Sequence, residues 1–212
     1  LALIDDAARA RHVPWRWPAG SEGSTAWIVE PAGGRSPVLT AILETAARGP
    51  GPVLVLDGSG EAAIAVADAE VGTGPRVLRP DAADEDLGTQ VTAAVEETAQ
   101  AGGTVVITGW SSWTGVRVGD TYRSLEEEIH RLLGGAAARF LRVAAVGGRE
   151  LASARLLLHL PHRFFVPAGT SAEHRLVWPR LTEVEPVPGR AVHVHPDGPE
   201  QGVPAQLAVP HA

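Results

Sequence analysis

Residues 25–42 read TAWIVEPAGGRSPVLTAI, and this stretch decides the fold. A short apolar run, Ala26-Trp27-Ile28-Val29, enters a turn made of Pro31-Ala32-Gly33-Gly34. Arg35 and Ser36 follow. Pro37 then stands where proline suits the first turn of a helix, because its missing N–H would have no intrahelical partner there. Val38, Leu39, Ile42 and Leu43 recur at helical spacing. The order is therefore strand Thr25–Val29, glycine turn, and a helix from about Ser36 to Arg48.

Working outward, the same alternation repeats. Gly49-Pro50-Gly51-Pro52 breaks the helix, and Val53–Leu56 is a continuous apolar run of the kind that suits a strand buried on both faces of a parallel sheet. Glu61–Asp68 reads as a short helix and Arg76–Leu78 as a strand. Asp81–Gln100 is the longest helical candidate, with acids in its first turn as the helix dipole prefers. Thr104–Ile107 is a further buried-type strand, and Ser111–Asp120 a polar loop. Ser124–Leu133 is a helix whose Ser124 and Glu127 have capping-box spacing. Phe140–Val146, a helix around Glu150–His159, and Arg163–Val166 follow. Two short alternating runs, Ala191–His195 and Ala205–Val209, form a closing hairpin, expected at an edge of the sheet. Strands alternating with helices predict an α/β domain with a mostly parallel sheet and helices on both faces, its central strands including Ala26–Val29, Val53–Leu56, Thr104–Ile107 and Leu141–Val146. Residues 24–212 form this domain, and residues 1–23 a lead-in. In the lead-in, Asp5 or Asp6 would cap a short helix through Arg11, and Pro14–Pro18 would run extended, with Trp15 and Trp17 covering an apolar edge.

Composition narrows the function. At 212 residues, 44% of them hydrophobic, the chain is long enough for a sizeable core. No apolar run approaches the ~18 residues of a membrane span, and no signal-peptide pattern opens the chain. With no cysteine, disulfides and thiolate metal sites are excluded, and a reducing compartment fits. All 18 basic residues are arginine, and the net charge of −7 argues against a nucleic-acid-binding surface. There is no methionine, so Leu1 is expected not to be a translation start and the chain to be part of a longer one.

Strand, glycine turn and helix are also the layout of the phosphate-binding P-loop, G-x-x-x-x-G-K-[ST], in which backbone N–H groups cradle the phosphates, the Lys reaches the β- and γ-phosphates and the hydroxyl holds Mg²⁺. Here the place is right and the residues are not. With Gly34 as the second motif glycine, the first falls on Val29, the lysine position is Arg35 and the hydroxyl is Ser36. Glu30 puts a carboxylate where the nucleotide's own charge would sit. Gly33, Gly34, Arg35 and Ser36 thus read as a degenerate P-loop. The alternative reading makes Arg35 an exposed residue at a helix start and Ser36 a helix cap.

Four stretches carry a wider resemblance. They are ALIDDAARARHVPWRW, VEPAGGRS, TVVITGW, and the long segment from VGGRELASARLLLHLPHRFFVPAG through PVPGRAVHV to PAQLAV. In order and spacing they resemble the FtsK/SpoIIIE-type ATPase domains, in particular the degenerate later modules of multi-ATPase proteins such as EccC of type VII secretion. The resemblance covers nearly the whole chain. It implies a RecA-like P-loop NTPase fold with a closing C-terminal hairpin. It also equates TVVITGW with the Walker B strand, whose closing acids would be Thr108 and Gly109. Neither can hold Mg²⁺ or orient a water, and the fork of Arg35 is not the point charge of a lysine. The resemblance therefore implies no bound nucleotide, or weak ATP/Mg binding, in this module, with ATP and Mg serving the parent protein. It further implies other ATPase modules in the same chain, a ring-like oligomer of a membrane-anchored parent with this domain on the cytoplasmic side, and helical secreted proteins as cargo. The alternatives are a module of a DNA-pumping motor and a weakly active ATPase.

Three further groups of residues are candidates. Arg149, in a Gly-Gly-Arg turn after a strand, would either act across a subunit boundary as an arginine finger or sit exposed, paired with an acid such as Glu150. Trp110, Trp113 and Tyr122 surround the loop after the Walker B-like strand and read as either core packing or a partner-binding pocket for an apolar side chain of a helical peptide. His193 and His195 share one strand face with Asp197 beyond, but a third ligand is lacking and no metal site is assigned. The stretch Thr108–Ser112 lacks the glycine spacing of a G-x-S-x-G elbow. The glycine turn likewise lacks the dinucleotide pattern G-x-G-x-x-G, and Asp57 some distance on does not supply it.

Overall fold

A computed structural model describes residues 2–6, 11–68, 74–80, 86–120 and 122–207. Ten strands make a single sheet: β1 (Ala2–Asp6), β2 (Arg11–Trp15), β3 (Thr25–Ile28), β4 (Val53–Asp57), β5 (Arg76–Leu78), β6 (Thr104–Thr108), β7 (Arg142–Gly147), β8 (His162–Phe165), β9 (Arg190–Val194) and β10 (Val203–Leu207). Their spatial order is β2-β1-β10-β9-β8-β3-β7-β6-β4-β5. From β8 through β5 every pairing is parallel, and from β8 to β2 every pairing is antiparallel. The helices are α1 (Arg35–Ala47), α2 (Glu61–Asp68), α3 (Leu87–Gln100), α4 (Leu125–Leu133) and two single turns, α5 (Arg149–Ala152) and α6 (Ala172–Arg175).

The two faces follow from strand alternation. Ala26, Ile28, Leu54, Leu56, Val105, Ile107, Val143 and Ala145 point to one side, where they meet Val91, Val95, Leu125, Ile129 and Leu151 of α3, α4 and α5. Trp27, Val55, Val106, Ala144 and Val146 point to the other, against Val38, Leu39, Ile42 and Leu43 of α1 and Ala62 of α2. Because both faces are covered, β3, β6 and β7 are buried along their whole length, which is why their inner stretches Ala26–Ile28, Val105–Ile107 and Val143–Val146 read as unbroken apolar runs. The fold is thus the expected mixed α/β architecture with helices on both faces. The four runs expected at its centre lie in one sheet, and β7 separates β3 from β6. From β3 the chain crosses toward β4, whereas from β7 it crosses the other way, toward β8. Such a reversal marks the crevice where open α/β sheets bind ligands, beyond the carboxyl ends of the strands.

Three expectations are corrected. The closing hairpin β9–β10 is not at an edge, because β1 pairs with β10 and β2 is the outer strand. The short helix expected from Asp5 or Asp6 through Arg11 has strand at both its bounds, Asp5 and Asp6 in β1 and Arg11 in β2, with Asp6 paired to Arg11; residues 7–10 between them lie outside the described residues. Ala2 is buried opposite Leu207, and Trp15 packs edge-on against Trp27 and Phe164, so long-range pairing overrides the local cap signal. The helix expected over Glu150–His159 is instead the single turn α5 followed by a 3-10 turn, Arg155–His159. This tighter path buries Leu151, Leu156 and Leu160 together, and the Arg163 guanidinium satisfies the Leu157 and Leu160 carbonyls at 2.9 and 3.2 Å. The Ser124–Glu127 capping box is formed as expected, with Glu127 N–H to Ser124 Oγ at 3.2 Å and Ser124 N–H to Glu127 Oε2 at 3.0 Å. The part of the long acidic helix over residues 81–85 lies outside the described residues. No helix among those described is long and apolar enough to cross a membrane.

Candidate functional site

The glycine turn sits at the crevice between β3 and β7. Val29 N–H donates to Gly147 O at 2.8 Å, which ties the end of β3 to its neighbour. Gly34 takes φ +93°, a left-handed conformation that favours glycine, and it caps α1. Gly33 is needed for a different reason. A Cβ there would run into the Ala168 carbonyl, so the turn is pressed against the backbone of the segment that follows β8. One of the two glycines thus serves close approach of chain to chain.

Arg35 is not an exposed helix-start residue. It is only 9% exposed and folds back over the turn. Its Nε donates to the Val29 carbonyl at 2.9 Å, its Nη1 to Glu61 Oε1 at 3.3 Å, and its Nη2 lies 3.5 Å from Glu30 Oε2. The fork geometry lets one guanidinium serve three acceptors from three separate nitrogens, which an ammonium on the same stem cannot do. Ser36 is exposed and lies within α1, so Gly34 and not Ser36 holds the cap position.

Glu30 points into the crevice. Its side chain is 17% exposed, and its Oε1 accepts from the Arg149 N–H at 3.2 Å and lies 3.1 Å from His174 Nδ1. An ionised carboxylate only accepts, so Nδ1 of His174 carries the proton in this contact. Gly148 makes the room, since a Cβ there would collide with the Glu30 carboxylate. A side-chain carboxylate therefore occupies the crevice beside the glycine turn.

The Walker B-like edge is also committed. Thr108 is buried and its Oγ1 donates to Asp57 Oδ1 at 2.9 Å. Asp57, at the end of β4, is the buried acid of this edge, and its oxygens are taken. Oδ1 accepts from Gly60 N–H at 2.9 Å and Ala62 N–H at 3.3 Å, Oδ2 accepts from Ala63 N–H at 3.1 Å, and Arg79 Nε lies 3.5 Å away. Asp57 holds the start of α2. Gly109, at φ +55°, packs against Gly58 so closely that a Cβ at either would strike the other's backbone, which leaves no room for an acid. The sequence signal for Asp57 was its place closing an apolar strand just before Gly58-Ser59-Gly60, a turn that needs an acceptor for the next helix.

The aromatic candidates do not form a face. Trp113 is fully buried with Nε1 donating to Thr108 O at 3.3 Å, and Trp110 is buried beside it in the core. Tyr122 is 98% exposed. Of the two readings weighed for the tryptophans, core packing is the one the structure adopts. The side chain of Arg149 is half exposed and pairs with Glu173 at 3.4 Å; Glu150, the partner suggested by sequence, instead accepts from Gly148 N–H at 3.0 Å. His193 and His195 do share a face, with rings stacked 5.2 Å apart. His193 is buried between Phe164 and His162, with Nε2 3.1 Å from His162 Nδ1, and burial pushes it down to about 3. Among the described residues no group of three or more His, Asp or Glu could hold a metal.

No protein-family model and no curated protein sequence matches the chain. Solved structures do. The cytoplasmic domain of the Thermomonospora curvata type VII secretion ATPase EccC superposes over 100% of this chain and 26% of its own, at TM-score 0.61 and 12% identity. EssC ATPases 2 and 3 from Geobacillus thermodenitrificans superpose over 97% of this chain and 43% of theirs, at 0.64 and 11%. Thermomonospora curvata EccC ATPases 2 and 3, in complex with a signal sequence peptide, superpose over 99% and 42%, at 0.62 and 17%. The chain thus has the fold of type VII secretion ATPase domains and spans between about a quarter and under half the length of these solved chains.

Proposed function

We propose that the chain is a catalytically silent ATPase-fold module of a larger type VII secretion ATPase, working through contacts with neighbouring modules and not through its own hydrolysis. The observation that carries this is the Glu30–Arg35–Glu61 network. It spends the guanidinium at the motif's lysine position on internal acceptors and sets a carboxylate beside it in the same turn. A nucleotide phosphate would meet that carboxylate at close range in a partly buried site, where like charges repel strongly. Thr108 and Gly109 add no acid for Mg²⁺, and the oxygens of Asp57 are bound to α2. In this reading ATP and Mg²⁺ belong to sister modules of the same parent. The module contributes to assembly, regulation or recognition of a helical cargo on the cytoplasmic side of a membrane-anchored, ring-forming protein. The solved relatives with two or more ATPase modules, one of them carrying a signal sequence peptide, support this setting. The charge of −7 speaks against direct contact with DNA.

Calorimetric titration with a slowly hydrolysed Mg–ATP analogue, together with a turnover assay, tests the reading. The expected result is no binding in the low micromolar range and no hydrolysis above background. Micromolar binding with turnover would overturn it.

A further inference from the structure

We propose that the degenerate P-loop is an oxyanion receptor that the chain fills with a ligand of its own, the Glu30 carboxylate. Two hydrogen-bonding groups and one cation from three separate segments converge on this one group: the Arg149 N–H and His174 Nδ1 on Oε1, and the Arg35 guanidinium, ion-paired at 3.5 Å, on Oε2. Their sources are the turn after β7, the single turn α6, and the start of α1. Gly148 supplies the space in which the carboxylate sits. Glu30 lies two residues past the end of β3, so the carboxylate is delivered by the loop between β3 and α1, the place of the phosphate-binding loop in the motif.

Neither role of the glycine turn alone explains this arrangement. Glu30 is not a solvated surface carboxylate: its side chain is 17% exposed and is met by groups 119 and 144 residues further along the chain. Two hydrogen bonds and a guanidinium gathered round two carboxylate oxygens are the kind of partners by which proteins hold a free carboxylate or phosphate group. The ligand class is therefore a small oxyanion. The contact also latches the 148–149 turn and the α6 segment, which carries the Glu173 partner of the Arg149 side chain, onto the glycine turn. This inference rests on the silent-module reading, because a nucleotide in the crevice would require Glu30 to leave it.

The test is to vacate the receptor in the whole chain with Glu30→Ala and supply acetate or inorganic phosphate, with chloride at matched ionic strength as control. The melting temperature of the variant is expected to fall by several degrees. Either oxyanion should recover it saturably in the millimolar range, and the Arg149 amide and His174 ring resonances should titrate with the same midpoint. Chloride should not do this. The wild type and Glu30→Gln, whose side chains fill the site, should not respond. Rescue by acetate alone identifies a carboxylate as the ligand class, and rescue by phosphate extends it to phosphate groups; either supports the proposal. No saturable response in Glu30→Ala, or an equal response in the wild type, overturns it. Should Glu30→Ala fail to fold in plain buffer, refolding is repeated with each anion. Recovery then supports the receptor, and lack of recovery alongside a folded Glu30→Gln overturns it. Nucleotide binding by the wild type is measured separately, so failure of the silent-module reading is not confused with failure of the receptor.

Discussion

Arg35→Ala is the most direct test of what the degenerate turn does. The substitution removes a largely buried guanidinium and leaves three acceptors to find other partners. The Val29 carbonyl, on a fully buried residue, loses the Nε donor. An orphaned buried acceptor costs roughly 1–3 kcal/mol. Glu30 keeps the Arg149 N–H and His174, and Glu61, at 28% exposure, can turn to water, so these two carboxylates lose less than they would in a dry interior. Removing one member of a fully buried charge cluster costs about 3–5 kcal/mol. The partial exposure here places the expected loss near the lower bound, about 3 kcal/mol. For a chain of this size that corresponds to a fall in Tm of roughly 6–12 °C. Urea unfolding followed by circular dichroism should show a lower midpoint with an unchanged slope, the mark of lost stability without altered compactness. Arg35→Lys should recover part of the loss, since an ammonium carries its donors on one atom and cannot match the three separate nitrogens that meet Val29, Glu61 and Glu30, and it should not create nucleotide binding even though it restores the motif lysine. A loss below about 0.5 kcal/mol for Arg35→Ala, the range of ordinary surface substitutions, would refute the reasoning, as would micromolar Mg–ATP binding by Arg35→Lys.

Two further outcomes are expected. Trp113→Ala empties a fully buried core position and should cost about 3–5 kcal/mol, seen as a large drop in the urea midpoint; near-native stability would put Trp113 outside the core. Stability should also fall on acidification. Burial holds His193 down to about 3, and His162, His130 and His159 are lowered for the same first reason. Below the ordinary histidine value of about 6.5 the unfolded chain binds protons that the folded chain refuses, so stability is full above that value and is lost as pH falls toward 3. His193→Phe, which keeps a ring stacked on Phe164, should flatten the slope of stability against pH by up to about 1.4 kcal/mol per pH unit in that window; an unchanged slope would show that His193 is protonated in the fold.

The parts of this protein that its sequence determined alone are those governed by neighbours in the chain. Val53–Leu56 and Thr104–Ile107 read as doubly buried strands because nothing polar interrupts them, and they are β4 and β6. Gly33-Gly34 announced a tight turn between strand and helix, and Ser124 with Glu127 announced a helix start, since a capping box is closed within four residues. The absence of a lysine from the glycine turn and of acids from the end of β6 was equally plain. Tertiary structure decided what filled the gap. Arg35 reads as an ordinary exposed helix-start residue until Glu61, 26 residues on, is brought beside it. Glu30 becomes an internal ligand only when residues 119 and 144 positions away close round it. Asp57 meets Thr108 across 51 residues, and the lead-in becomes strand because β10, near the far end of the chain, offers it an edge. Trp113 could be core or contact surface on composition alone, and its burial is set by α3, α4 and the sheet above it. In each case the local signal is weak or ambiguous. The energy that resolves it comes from burial and pairing between segments whose meeting only the assembled sheet imposes.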